Sequence, residues 1–182
     1  NPENLHGLEY LKVIFEGGNV IIDPFEIAGV KMGPVADGYV RNFALKHLVI
    51  GADFRTGRLK LVDNVDNQPL YQTPEALYAH QVTLGENACL DLNGKSLYYD
   101  EIAVHPTAQI VYNGGTLRQI KSLPADIDGN RSIDINDLFR IAEQWLHDDC
   151  THDNDYCNSC DLNDDGRVTF PDFEIFSTDW LK

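Results

Sequence analysis

Apolar residues in the first two thirds of the chain come in short alternating or β-branched runs of strand length. They fall at 10–15, 20–22, 45–50, 59–62, 77–84, 90–92, 97–99 and 109–112. Turn signals separate them, at Gly17-Gly18, Asp37-Gly38, Asn93-Gly94 and Asn113-Gly114. No sustained helical period competes with this reading, so residues 1–122 are expected to form a β-rich domain. From Pro124 onward the pattern changes. Leu138, Ile141, Ala142 and Trp145, and then Phe173, Phe176 and Trp180, recur at helical spacing, each set preceded by a stretch dense in Asp and Asn. Residues 123–182 therefore read as a second, small α-helical domain.

Two internal repeats organise these halves. In the first, an offset of 20 residues superposes Val82, Leu84, Ala88, Leu90, Asn93-Gly94 and Leu97 on Ile102, Val104, Ala108, Ile110, Asn113-Gly114 and Leu117. A period of that length suits one coil of a short β-solenoid. It also suits successive hairpins of a β-sandwich, because Asn-Gly favours tight type I′ turns. Leu59-Lys-Leu-Val-Asp-Asn is a fainter echo of the same pattern.

The second repeat has an offset of 35 and places Asp126–Asp137 on Asp161–Asp172, with Trp145-Leu146 falling on Trp180-Leu181. Calcium takes six to eight oxygen ligands, and a twelve-residue loop supplies them from positions 1, 3, 5, 7, 9 and 12, position 7 through its carbonyl. The first loop offers Asp126, Asp128, Asn130, Ser132 (carbonyl), Asp134 and Asp137. The second offers Asp161, Asn163, Asp165, Arg167 (carbonyl), Thr169 and Asp172. Two calcium ions are expected. Position 6, a sharp turn, is Gly166 in the second loop and Arg131 in the first, so the first site is expected to be the weaker. Val168 at position 8 is expected to pack against Ile133.

Charge agrees with this division. Residues 1–122 carry 14 acidic and 10 basic side chains, and residues 123–182 carry 15 and 4. The second part is thus an anionic, cation-attracting surface that repels nucleic acid and anionic membranes. No run of apolar residues is long enough to span a bilayer.

Both loops end on Asp where an EF-hand has Glu, and each is followed but not clearly preceded by a helix. Loop plus exit helix, twice, with an apolar close, resembles the type I dockerin repeat. The resemblance covers about 60 of the 182 residues. It implies a protein partner, a cohesin-like domain; other copies of the chain are the partner expected if the chain assembles with itself. The partner would be contacted through loop positions 10 and 11, here Ile135, Asn136, Phe170 and Pro171. The β-rich part loosely resembles segments that precede such tails in secreted bacterial proteins of planctomycete type.

Three of the four cysteines, Cys150, Cys157 and Cys160, lie between the two loops. A disulfide from Cys150 to Cys157 or Cys160 would staple that segment, with the odd thiol free, paired with Cys89, or bonded to another chain. Zinc held by these cysteines with His147 and His152 is the competing arrangement, but lacks a second well-spaced pair.

No nucleophile elbow, zinc-protease helix motif or phosphate-binding glycine loop occurs, and His6, His47, His80 and His105 are scattered on β-segments. The chain is expected to be non-catalytic. Its expected role is extracellular assembly or attachment, in a filament, tube or cell-surface appendage. Two alternatives stand beside it: a glycan-binding module tethered to a scaffold, for which Tyr98, Tyr99 and Tyr112 would form the stacking face, and the tail of a polysaccharide-degrading enzyme. The first residue is Asn rather than Met, which suits a processed chain. The sequon Asn130-Arg131-Ser132 lies inside a calcium loop, where glycosylation is not expected.

Overall fold

The computed structural model describes residues 10–17, 22–40, 42–52, 54–67, 73–121, 123–130 and 132–180. Arg131, Leu181, His6 and most of the run at 20–22 lie outside these. The chain divides into two compact units. One comprises Asn1–Lys31 and Asp37–Gln119, the other Met32–Ala36 and Ile120–Lys182. The short segment Met32–Ala36, which the sequence reading leaves in the β-rich part, groups with the C-terminal unit.

Among the described residues the first unit holds ten strands, β1 Lys12–Phe15, β2 Asp23–Glu26, β3 Gly29–Val30, β4 Leu45–Ile50, β5 Arg58–Val62, β6 Glu75–Leu84, β7 Cys89–Asp91, β8 Ser96–Val104, β9 Gln109–Val111 and β10 Thr116–Gln119. They form two sheets. One runs β1-β4-β6-β8-β10 with β3 on β6, and the other runs β2-β5-β7-β9. Among these strands every pairing is parallel except the short β3 on β6. From β4 onward the chain alternates between the sheets and advances one strand along each at every return.

Parallel pairing corrects the alternative of successive hairpins in a β-sandwich. The Asn-Gly turns do have left-handed backbones, with φ of +51° and +75° at Asn93-Gly94 and +49° and +79° at Asn113-Gly114. Each is closed by a turn hydrogen bond, Lys95 N to Leu92 O at 2.8 Å and Gly115 N to Tyr112 O at 2.7 Å. They carry the chain from one sheet to the other instead of folding a strand back on itself.

The offset of 20 is the register. Val82 pairs with Ile102, Leu84 with Val104, Leu90 with Ile110, and Leu97 with Leu117. Leu59 pairs with Leu90, so the faint echo is an earlier rung. Like residues thus stack on like, and both sheets feed one core that includes Leu48, Leu59, Leu61, Leu77, Leu84, Leu90, Leu92 and Leu97. On the opposite face of the larger sheet, Tyr78 and Tyr98 are fully buried, their rings 4.9 Å apart. A 3-10 turn, Ala36–Tyr39, approaches Tyr78 so closely that a Cβ on Gly38 would sit 2.0 Å from its ring. Tyr98 is therefore no sugar platform, and Tyr99 and Tyr112 pack against the core. The stacking face that the glycan-binding alternative named does not form.

Among the described residues the C-terminal unit contains two right-handed α-helices, α1 Ile135–Glu143 and α2 Phe170–Trp180. Its core joins Ala125, Ile127, Ile141, Leu162, Val168 and Phe176 to three cysteines, with Ile133, Leu138 and Trp145 packed against them. Among the described residues no helix is long and apolar enough to cross a membrane.

Candidate metal centre

The two acidic loops adopt one hydrogen-bond scheme. In the first, the Asp137 carboxylate accepts from the backbone N–H groups of Ile127 (2.8 Å), Asp128 (3.1 Å) and Asp134 (2.9 Å). In the second, Asp172 accepts from Leu162 (2.7 Å), Asn163 (3.2 Å) and Thr169 (2.8 Å). These donors correspond one for one. Position 12 therefore ties positions 2, 3 and 9 together in both loops, and each of these Asp residues is fully buried. Smaller turns repeat as well. Asn130 N donates to Asp128 and Ser132 N to Asn130, as Asp165 N donates to Asn163 and Arg167 N to Asp165.

Position 9 also starts the first helix. The Asp134 side chain caps α1 by accepting from Asn136 N at 2.8 Å, and Asp137 reaches back to Asp134 N in a capping box. In the second loop, Asp161 accepts from Asp165 N at 3.2 Å and Gly166 N at 3.0 Å, drawing positions 5 and 6 toward position 1. Gly166 has φ of +88°, the left-handed turn expected of position 6. Position 4 is left-handed too, at +75° in Gly129 and +60° in Asp164. Gly129 answers a demand for the left-handed conformation at position 4 itself. The mixture of Gly and Asp there was the available signal, since both tolerate that conformation. The strain expected at Arg131 falls outside the described residues.

The donor set fits a hard divalent cation. Ligand oxygens of Asp126, Asp128 and Asp137 lie within 4.8 Å of one another, and Asp126 and Asp137 are buried. In the second loop Asp161 and Asp172 are fully buried beside Asn163 and Asp165. Burial pushes the Asp172 carboxyl above its ordinary range, against the pull of its three backbone donors. A group of carboxylates held out of water in this way is stabilised by a bound cation, and all-oxygen ligation suits calcium rather than a softer metal.

Between the loops, Cys150 and Cys157 form a disulfide, while Cys160 and Cys89 are buried free thiols. The bridge takes two of the cysteines a zinc site would need, so the cluster of His147, Asp149 and Cys157 has no thiolate to offer. The bridged segment contains a left-handed helical turn, Asp155–Ser159, in which Asp155, Tyr156, Cys157, Asn158 and Ser159 all have φ between +51° and +65°. Such a turn is costly for L-residues, about 1–2 kcal/mol each. It is pinned by the disulfide, by Asn154 accepting from Cys157 N at 3.0 Å, and by Tyr156 N donating to Thr151 O at 2.7 Å.

Of the residues expected to meet a partner, Ile135 and Phe170 are 65% and 76% exposed, and Asn136 and Pro171 are also exposed. Phe170 packs edge-on against Trp145, with ring centroids 5.3 Å apart. It flanks a groove of about 370 Å³ lined by Leu138, Ile141, Ala142, Trp145, Phe170 and Phe173. These residues recur at helical spacing, yet they are not all buried. Ile141 is buried, but Ala142, Phe173 and the neighbouring Phe139 are exposed.

Position 3 of the second loop has a neighbour that no repeat could reveal. Gly33, at φ of +78°, lies so close that a Cβ on it would sit 2.7 Å from the Asn163 carbonyl oxygen. No family model matches this chain, and no curated protein or solved structure matches it.

Proposed function

We propose that the C-terminal unit binds one calcium ion in each loop and that the loaded unit attaches the chain to a protein partner, in a non-catalytic extracellular role. The duplicated position-12 network carries this reading. Two loops 35 residues apart that share every donor to Asp137 and Asp172 support the reading of a duplicated calcium module. Calcium adds to the unit's folding free energy by mass action, about 4 kcal/mol per site at a thousand times the dissociation constant. The β-rich unit is read as a short parallel solenoid that the calcium unit anchors.

The partner proposed is a second copy of the chain, in a filament or tube. Exposed Ile135 and Phe139 stand on the same helix as the groove residues Leu138 and Ala142. A surface with apolar knobs beside an apolar groove can pair with its own copy about a two-fold axis. Residues 123–182 carry 15 acidic and 4 basic side chains, which opposes pairing until bound calcium lowers the repulsion. Calorimetry with calcium should give two sites, and sedimentation should show calcium-dependent association that Phe139→Asp abolishes. Absence of calcium binding overturns the reading. Binding of two ions by a chain that stays monomeric overturns self-association and favours a cohesin-like partner, tested with such a domain in the same assay.

A further inference from the structure

The larger sheet breaks its in-and-out alternation at one level in three successive strands. Core residues run Leu45, Leu48 and Ile50 in β4; Leu77, Ala79, Val82 and Leu84 in β6; and Leu97, Tyr99 and Ile102 in β8. The spacing widens from two to three after Leu45, Ala79 and Tyr99. The two residues passed over in each strand are Lys46 and His47, His80 and Gln81, and Asp100 and Glu101, all exposed or half-buried. The strands remain in register through the break, with His47 opposite Gln81 and Gln81 opposite Glu101. Where an ordinary sheet face offers one outward residue in two, this level offers a double row of polar side chains across adjoining strands.

A cavity of about 260 Å³ sits on this shelf, lined by Tyr10, Lys46, His80, Gln81, Asp100 and Glu101. Several of its groups are fixed in place. Asp100 accepts from the Tyr39 hydroxyl at 2.8 Å, and its other oxygen lies 2.6 Å from His80 Nδ1. The Tyr39 ring stacks on His80 with centroids 3.9 Å apart. Gln81 Nε2 donates to Glu101 at 3.2 Å, and Gln119 Nε2 to the Asp100 carbonyl at 2.8 Å. A ligand would find these side chains already ordered, which lowers the entropy lost on binding. Tyr10 is 74% exposed at the rim.

The chemistry of the shelf selects among ligands. Two carboxylates disfavour an anion, and Lys46 disfavours a polyamine. Every lining side chain ends in a polar group, which a purely apolar guest would leave without a partner. Planar carboxylate, amide and imidazole groups beside an exposed aromatic ring match a molecule that carries hydroxyls on its rim and C–H groups on its face. The strands are separated by about 4.8 Å, close to the length of one pyranose ring, so a chain of sugars laid across β4, β6 and β8 could present successive rings to successive strands. We propose that this shelf on the larger sheet binds a neutral oligosaccharide. The site does not depend on the calcium unit.

The test is a heteronuclear NMR titration of the whole chain with cellohexaose, xylohexaose and mannohexaose, each taken to millimolar concentration. At least one should give saturable shifts centred on Lys46, His80, Gln81, Asp100 and Glu101. Tyr10→Ala and Gln81→Ala alter exposed side chains, so the core leucine resonances should stay in place while affinity falls at least tenfold in each. The proposal is overturned if none of the three sugars gives saturable shifts, or if both variants bind as the parent does. Binding should survive chelation of calcium; a sugar that binds only with calcium belongs to the other unit and also overturns it.

Discussion

Removing the position-12 carboxylate tests the C-terminal unit most directly. In Asp172→Ala the N–H groups of Leu162, Asn163 and Thr169 lose a common buried acceptor. A hydrogen bond to a charged group contributes about 1.5–3 kcal/mol, but three bonds to one carboxylate do not add independently. The expected loss is about 3–4 kcal/mol before any metal is considered, at the upper end of single-residue effects. Asp137→Ala should lose the same amount within about 1 kcal/mol, because its three donors have matching positions and similar distances. Asp172→Asn keeps an oxygen for Leu162 and Asn163 but turns an amide donor toward Thr169, so a loss of about 2 kcal/mol is expected. The two tryptophans, Trp145 and Trp180, both lie in the C-terminal unit, so urea unfolding followed by tryptophan fluorescence reports on that unit alone. Melts in chelator isolate the hydrogen-bond network, and melts in excess calcium add the metal linkage, which each alanine variant should lose at its own site. An Asp172→Ala chain that unfolds within about 0.5 kcal/mol of the parent in chelator would refute the tying role of position 12. A gap of more than about 2 kcal/mol between the two alanine variants would refute the equivalence of the loops.

Gly33→Ala would place a methyl 2.7 Å from the Asn163 carbonyl oxygen at a φ of +78°. The strain, about 1–3 kcal/mol, should weaken calcium at the second loop roughly tenfold and leave the first unchanged, as read by calorimetry. Burial pushes the Cys160 thiol up to about 12. Iodoacetamide at pH 8 should therefore label it only after unfolding, as mass spectrometry of native and denatured samples can show. The unfolded chain gives up that proton near 9.0 while the folded unit holds it to about 12, so stability should be intact below the lower value and fall as pH rises between them.

The acidic loops were legible because their Asp and Asn residues recur at one fixed local spacing, and the side chains that make the hydrogen-bond network are the ones that spacing names. The 20-residue register was legible for a similar reason: Leu90 and Ile110, or Leu97 and Leu117, are brought together by coils of equal length. The earlier rungs were faint because intervening segments differ in length, so Leu48 pairs with Val82 at an offset of 34 and Leu59 with Leu90 at 31. Strand direction was not legible, since Asn-Gly favours one turn geometry whether the next strand returns or moves to another sheet. The left-handed turn at Asp155–Ser159 runs against the intrinsic preferences of Tyr156 and Cys157, and only the disulfide and its hydrogen bonds explain it. The shelf on β4, β6 and β8 was hidden because its polar pairs interrupt otherwise apolar runs, and nothing in one strand reveals that the interruptions align.

The matching turns at Asn93-Gly94 and Asn113-Gly114 have a practical consequence for the length of the β-rich unit. Each leaves one sheet and enters the other with the same backbone geometry, one coil apart, and the strands on either side share one register. A further 20-residue copy spliced between them would meet the partners its neighbours already meet, with no new junction to solve. The number of coils is thus modular, and rungs could be gained or lost by duplication or deletion while the rest of the stack kept its pairing.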